Sequence, residues 1–193
     1  MDYQNYENMN LRGTVLRIEK SSIYDGDGFR TVVFMKGCPL RCQWCSTPES
    51  HKKEIQTTLD ESITYGSSMT VEEVLTEVRK DIPFYFHSGG GMTVSGGEIL
   101  VWPEFVSSLV KRACMEGINT CIETSFYGKW SDIASILENT DTAFVDLKLM
   151  NPELHKKYTG VSNERILENL KRAGSKKKRH KINCPQTAGS GSQ

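Results

Sequence analysis

Four short apolar runs, each followed by a segment of helical periodicity, constrain this chain more than any other feature. Residues 31–35, 92–94, 120–123 and 143–147 are rich in β-branched or apolar side chains, the pattern of buried strands. Apolar residues then recur at helical spacing. Val71, Val74, Leu75 and Val78 form one set, and Phe105, Val106, Leu109 and Ala113 a second. Ile133, Ile136 and Leu137 form a third, and Ile166, Leu167 and Leu170 a fourth. The start and stop signals agree. Thr70 and Glu73 make a capping-box pair, Pro103 opens a helix that Gly117 stops, and Ser162 caps a helix that Gly174 closes. Residues 181–185 read as the start of a fifth strand. Such alternation builds a mainly parallel α/β domain, because parallel neighbours need a crossover connection.

A length of 193 residues suits one domain with a sizeable core, read over residues 1–185, with a Gly/Ser-rich tail over 186–193. The 24 acidic side chains balance 24 basic ones, which gives no general case for nucleic acid or a membrane surface as partner. The first ten residues are polar and no stretch approaches a membrane span, so the expected location is the reducing cytoplasm. The basic run 176–181 reads as solvated surface or tail. Cys114, Cys121 and Cys184 are scattered and read as packing residues.

The other three cysteines are concentrated. Cys38, Cys42 and Cys45 are separated by three residues and then two. One loop at that spacing wraps three thiolates round one face of a metal cluster. A cubane [4Fe–4S] cluster normally takes four cysteines. Three local thiolates with no evident fourth leave one iron open to a substrate or cofactor. Zinc on the same thiols is the alternative and needs a fourth ligand. Trp44 either shields such a cluster or is a core aromatic.

In parallel α/β sheets chemistry gathers at the C-terminal strand ends. The second strand is followed by Gly96-Gly97-Glu98, the third delivers Glu123-Thr124-Ser125, and the fourth Asp146-Leu147-Lys148. Paired glycines let a backbone approach a ligand, their carbonyls suit an ammonium group, and Glu98 adds charge; the same residues also make an ordinary strand-to-helix turn. Asp146 and Lys148 share a strand face, either as an internal ion pair or with Lys148 holding a carboxylate. An open iron, carbonyls for an amine and a lysine for a carboxylate together fit an amino-acid-like chelator such as S-adenosylmethionine.

On these residues the chain resembles the radical S-adenosylmethionine superfamily, and within it the glycyl radical enzyme activating enzymes of the pyruvate formate-lyase type. The likeness runs from about Gly13 to Ala173. It is carried by Asp25-Gly26-Asp27-Gly28-Phe29-Arg30, the cysteine loop, Ser88-Gly89-Gly90-Gly91-Met92, the strand-end motifs, and His155 through Gly160 with Val161-Ser162-Asn163. Asp27 and Ile99 stand where relatives have proline. The resemblance implies a partial (β/α) barrel of about six units, open on one side, with Cys38, Cys42 and Cys45 on a [4Fe–4S] cluster. Gly96, Gly97 and Glu98 would hold the amine of S-adenosylmethionine, and Lys148, with Asp146 beside it, its carboxylate. Glu123, Thr124 and Asp146 would ligate a monovalent cation, with Glu123 where the relatives have aspartate. Flavodoxin or ferredoxin would reduce the cluster. A 5′-deoxyadenosyl radical would then take a hydrogen atom from a glycine Cα of a partner glycyl radical enzyme. No cysteine-rich ferredoxin-like insert follows Cys45. The family continues beyond the position of Ala173, so the resemblance also implies a chain truncated at its C-terminal end. An activator of anaerobic ribonucleotide reductase, and a non-catalytic iron–sulfur protein or truncated inactive product, are the other readings.

Overall fold

The computed structural model describes residues 8–175 and 181–184; the tail 186–193 and most of the basic run lie outside them. The strands are β1 (Arg12–Ser22), β2 (Arg30–Met35), β3 (Gln56–Thr57), β4 (Thr64–Tyr65), β5 (Ser67–Thr70), β6 (Gly91–Gly96), β7 (Asn119–Thr124), β8 (Thr142–Val145) and β9 (Lys181–Asn183). The α-helices are α1 (Val71–Arg79), α2 (Ile82–Ser88), α3 (Pro103–Met115), α4 (Trp130–Leu137), α5 (Pro152–Thr159) and α6 (Glu164–Ser175).

Seven strands form one sheet in the order β5-β1-β2-β6-β7-β8-β9. From β2 onward every neighbouring pair is parallel and spatial order follows chain order, the winding of a (β/α) barrel. Among the described residues there are five parallel strands, one unit short of the expected six, and the sheet is open. Its other edge is antiparallel: β1 pairs with both β2 and β5. The mainly parallel reading therefore holds only from β2.

Val33, Met35, Met92, Val94, Ile122 and Val145 lie on one sheet face, in a single buried cluster with the apolar stripes of α1, α3 and α4. Each large aliphatic side chain fully buried there, Leu109 for example, contributes about 2 kcal/mol. Side chains alternate along a strand, so Phe34, Ser95 and Glu123 face the other side. That second face is covered at the strand starts by the loop between β1 and β2. Arg30 is buried there and donates to Met92 O (2.6 Å), Asn119 Oδ1 (2.7 Å) and Thr93 Oγ1 (3.0 Å). A Cβ on Gly90 would lie 1.8 Å from Phe29 O, which is why the loop and the Gly89-Gly90-Gly91 run need each other.

The capping box forms as expected: Thr70 Oγ1 accepts from Glu73 N, and Glu73 Oε2 accepts from Thr70 N. Two expectations are corrected. Gly174 lies inside α6 rather than closing it, since its backbone is helical and nothing crowds it. Cys114 and Cys184 are exposed, so of the scattered cysteines only Cys121 packs in the interior.

Candidate active site

The C-terminal ends of β2, β6, β7 and β8 open into one cavity of about 320 Å³. Its lining includes Cys38, Cys42, Cys45, Gly96, Gly97, Glu98, Glu123, Thr124, Asp146 and Lys148, so every candidate site residue reaches one place. The chain leaves β2 at the buried Lys36, whose ammonium donates to Glu49 O and to Gln56 Oε1 (2.9 Å). Gly37, at φ +103°, then turns it into the cysteine loop.

That loop is held from both sides. Gly37 N and Cys38 N donate to Ser50 O (2.7 Å) and His51 O (3.1 Å). Arg41 N and Gln43 N donate to Thr159 O (2.7 Å) and Tyr158 O (3.0 Å) at the end of α5. Leu40 anchors it in the interior. Trp44 is 48% exposed and lies 6.2 Å from the Tyr158 ring, so it walls the cavity and is not a core aromatic.

Burial pushes the Cys38 thiol up to about 12, with the Glu98 carboxylate adding to the rise. Burial also raises the Cys42 thiol, while the Lys148 ammonium lowers it and Asp146 raises it. Burial keeps such thiols protonated at neutral pH until metal binding displaces the proton. Among the described residues no three His, Cys, Asp or Glu side chains converge as the ligands of one ion do. A cubane does not require that, since each thiolate binds a different iron. Three soft donors on one pinned loop, opening into one cavity, fit a cluster.

The Gly96-Gly97 turn packs on the loop. A Cβ at Gly96 would lie 2.4 Å from Met35 N and O, and one at Gly97 2.4 Å from Gly37 O. Gly97 N donates to Met35 O (2.9 Å), and Glu98 N to Gly37 O (2.8 Å). These glycines therefore seat the cysteine loop as well as line the cavity. Glu98 is 2% exposed. Its Oε1 accepts from Thr124 Oγ1 (2.5 Å) and Leu100 N (3.2 Å), its Oε2 from Ser125 N (2.8 Å) and Ser125 Oγ (2.5 Å). Burial raises its pKa, and these hydrogen bonds pull the other way. The carboxylate is thus engaged in tying β6 to β7.

Thr124 points toward Glu98 rather than toward Glu123. Glu123 accepts from Ser95 Oγ (2.6 Å), and burial raises its pKa, with the Asp25 and Asp146 carboxyls adding to the rise. Asp146 and Lys148 lie just past β8 and form an ion pair of 2.6 Å. Arg17, Phe34, Ser95 and His51 also line the cavity. Phe34 and Ser95 come from β2 and β6, whereas Arg17 and His51 come from β1 and from the turn after the cysteine loop, segments that carried no local motif.

The radical SAM superfamily model matches residues 32–185, most of the sheet and the cavity lining from Phe34 to Lys148, and the chain belongs to that superfamily. Its cofactors are a [4Fe–4S] cluster and S-adenosylmethionine. Its relatives are glycyl radical enzyme activating enzymes. The chain is 37% identical over 229 residues to the (2S)-3-sulfopropanediol dehydratase activating enzyme of Klebsiella oxytoca, a match covering 92% of this chain and 72% of the relative. It is 36% identical over 150 residues to the pyruvate formate-lyase-activating enzyme of Clostridium pasteurianum, covering 78% of this chain and 58% of that one. Among solved structures, QueE from Escherichia coli shares the fold, with TM-score 0.60 at 13% identity over 97% of this chain and 90% of that one. Among the described residues no helix is long and apolar enough to cross a membrane.

Proposed function

We propose that this chain is an activating enzyme of the pyruvate formate-lyase type, acting on a glycine Cα of a partner glycyl radical enzyme. The observation that carries the reading is the single cavity in which the three-cysteine loop meets the Gly96-Gly97 turn and the Asp146–Lys148 pair. Cys38, Cys42 and Cys45 would hold the cluster. The carbonyls of Gly96 and Gly97 would accept from the amine of S-adenosylmethionine, and the Lys148 ammonium, steered by Asp146, would meet its carboxylate. Glu98 keeps the turn closed on β7. When bound, the cofactors supply one-electron cleavage of a carbon–sulfur bond, and with it the oxidising power that removes a hydrogen atom from glycine. A small one-electron carrier, flavodoxin or ferredoxin, is the reductant in this reading. Glu123, Thr124 and Asp146, which line the cavity together, are the residues that would hold a monovalent cation, with Thr124 Oγ1 also donating to Glu98.

The extents of the two matches support the pyruvate formate-lyase type. The match to the Klebsiella relative needs 229 aligned positions, yet 92% of this chain is only about 178 residues, so that relative carries about fifty extra residues within it. The match to the Clostridium enzyme needs 150 positions, and 78% of this chain is about 150 residues, so the two run together without such an insertion.

The test is anaerobic reconstitution with iron and sulfide, then reduction in the presence of S-adenosylmethionine. The reading predicts methionine and 5′-deoxyadenosine in equal amounts. It further predicts a glycyl radical signal in electron spin resonance on mixing with a pyruvate formate-lyase. A signal only with anaerobic ribonucleotide reductase would move the chain to the other activator class, and a bound cluster without cleavage would make it non-catalytic.

A further inference from the structure

Helix α5 is short and polar, yet side chains fix it at both ends. Asn151 Oδ1 accepts from Glu153 N and Leu154 N, each at 3.0 Å. Asn163, fully buried beyond the helix, donates Nδ2 to Leu149 O (2.9 Å) and Met150 O (2.7 Å). His155 works at the other end. Its ring is fully buried, with Nδ1 2.6 Å from Val161 O. A carbonyl only accepts, so Nδ1 carries the proton. Nε2 is then a bare acceptor, buried without a partner. Thr159 Oγ1 donates back to His155 O (2.8 Å) and lies 3.0 Å from Nδ1. Gly160, at φ +83°, ends the helix inside this ring of hydrogen bonds.

The end fixed in this way is the one that touches the cysteine loop. Thr159 O and Tyr158 O accept from Arg41 N and Gln43 N, the residues on either side of Cys42. We infer that His155 is a positioning residue for the cysteine loop: it clasps the Gly160 turn so that two helix-end carbonyls hold the backbone around Cys42. A histidine kept only for its volume would not need one particular nitrogen. Here Nδ1 makes the contact and Nε2 goes without. The inference rests on reading that loop as the one that bears the cluster.

The geometry separates two substitutions of similar polarity. His155→Asn places an amide nitrogen near the position of Nδ1, and His155→Gln places one near Nε2. The full chain is reconstituted with iron and sulfide, and the rate of iron loss to a chelator is read. Alkylation rates of Cys42 and of the buried Cys121 are then read after iron removal. His155→Gln should speed both iron loss and Cys42 alkylation about fivefold, the factor that one ordinary hydrogen bond gives. His155→Asn should stay within about twofold of the parent protein, a partial loss of the same bond, and Cys121 should stay protected in both. Gly160→Ala strains the same turn without touching the histidine and should behave as His155→Gln does. Equal rates in the Asn and Gln variants overturn the inference. So does a rise in Cys42 reactivity that comes only with exposure of Cys121 in both His155→Gln and Gly160→Ala. A parent protein that takes up no iron counts against the proposed function instead, and the alkylation contrast still decides the clasp.

Discussion

At Gly97 the physical constraint is space: a Cβ would lie 2.4 Å from the carbonyl oxygen of Gly37, one residue before Cys38. A backbone atom cannot yield there without moving the cysteine loop. Gly97→Ala should therefore cost about 1–3 kcal/mol and lower the iron bound after reconstitution. Calorimetry and iron analysis of one preparation check both effects. Glu98 is constrained by hydrogen bonding. Leu100 N and Ser125 N donate to different oxygens of its carboxylate. A glutamine has one acceptor oxygen, so Glu98→Gln leaves one buried N–H unpaired whichever way its amide turns. The expected loss is about 1–3 kcal/mol in urea unfolding, because an unmade buried hydrogen bond costs its full desolvation. An unchanged midpoint would show that neither bond restrains the site.

The elements are joined by a few polar clasps that respond to pH and to substitution. Arg79 at the end of α1 donates from Nε and Nη2 to the two oxygens of Glu116 just beyond α3, both at 2.8 Å. That fork, first among its causes, holds the Glu116 carboxyl below its ordinary value. A depressed carboxyl pKa stabilises the fold above the unfolded pKa and stops doing so as pH falls through the folded one. Thermal unfolding from pH 7 down to 3 should therefore show Glu116→Gln converging on the parent protein at the acid end. At neutral pH the variant should be less stable by about 1 kcal/mol. Gly174, inside α6 with open space around it, gives the opposite sign. Gly174→Ala should raise stability by up to about 1 kcal/mol, because glycine gives up more chain entropy in a helix than alanine does. A loss on that substitution would mean that the residue ends the helix after all.

Across the whole molecule, what the sequence disclosed and what it hid have physical causes. Strands β2, β6, β7 and β8 are buried or half-buried over most of their lengths, so their apolar runs stand out from the flanking turns. The strand-end residues of the site were legible because a parallel sheet brings its strand ends together. β1 was not, since only Gly13, Thr14 and Val15 of it are buried and it has no long apolar run, ending in Glu19-Lys20-Ser21-Ser22. α5 was hidden for another reason: its polar sequence has no apolar stripe, and Asn151 and His155 hold it instead. Glu98 was read as a charge for the ligand; beside its local bond from Leu100 N it accepts from Thr124 and Ser125, a pairing that no local pattern encodes. His51 and Arg17 enter the cavity from segments without a motif for the same non-local reason.

In the proposed function the thiolates of Cys38, Cys42 and Cys45 would hold a cluster, and Gly96, Gly97 and Lys148, which line the same cavity, would take the cofactor at its remaining iron. Electron spin resonance of the reduced, reconstituted protein with and without S-adenosylmethionine tests it most directly, because a ligand on that iron changes the cluster's signal. The account predicts a reduced-cluster signal that changes in shape when the cofactor is added, and no such change in Cys42→Ala. A signal indifferent to S-adenosylmethionine, or one that survives unaltered in Cys42→Ala, would contradict it.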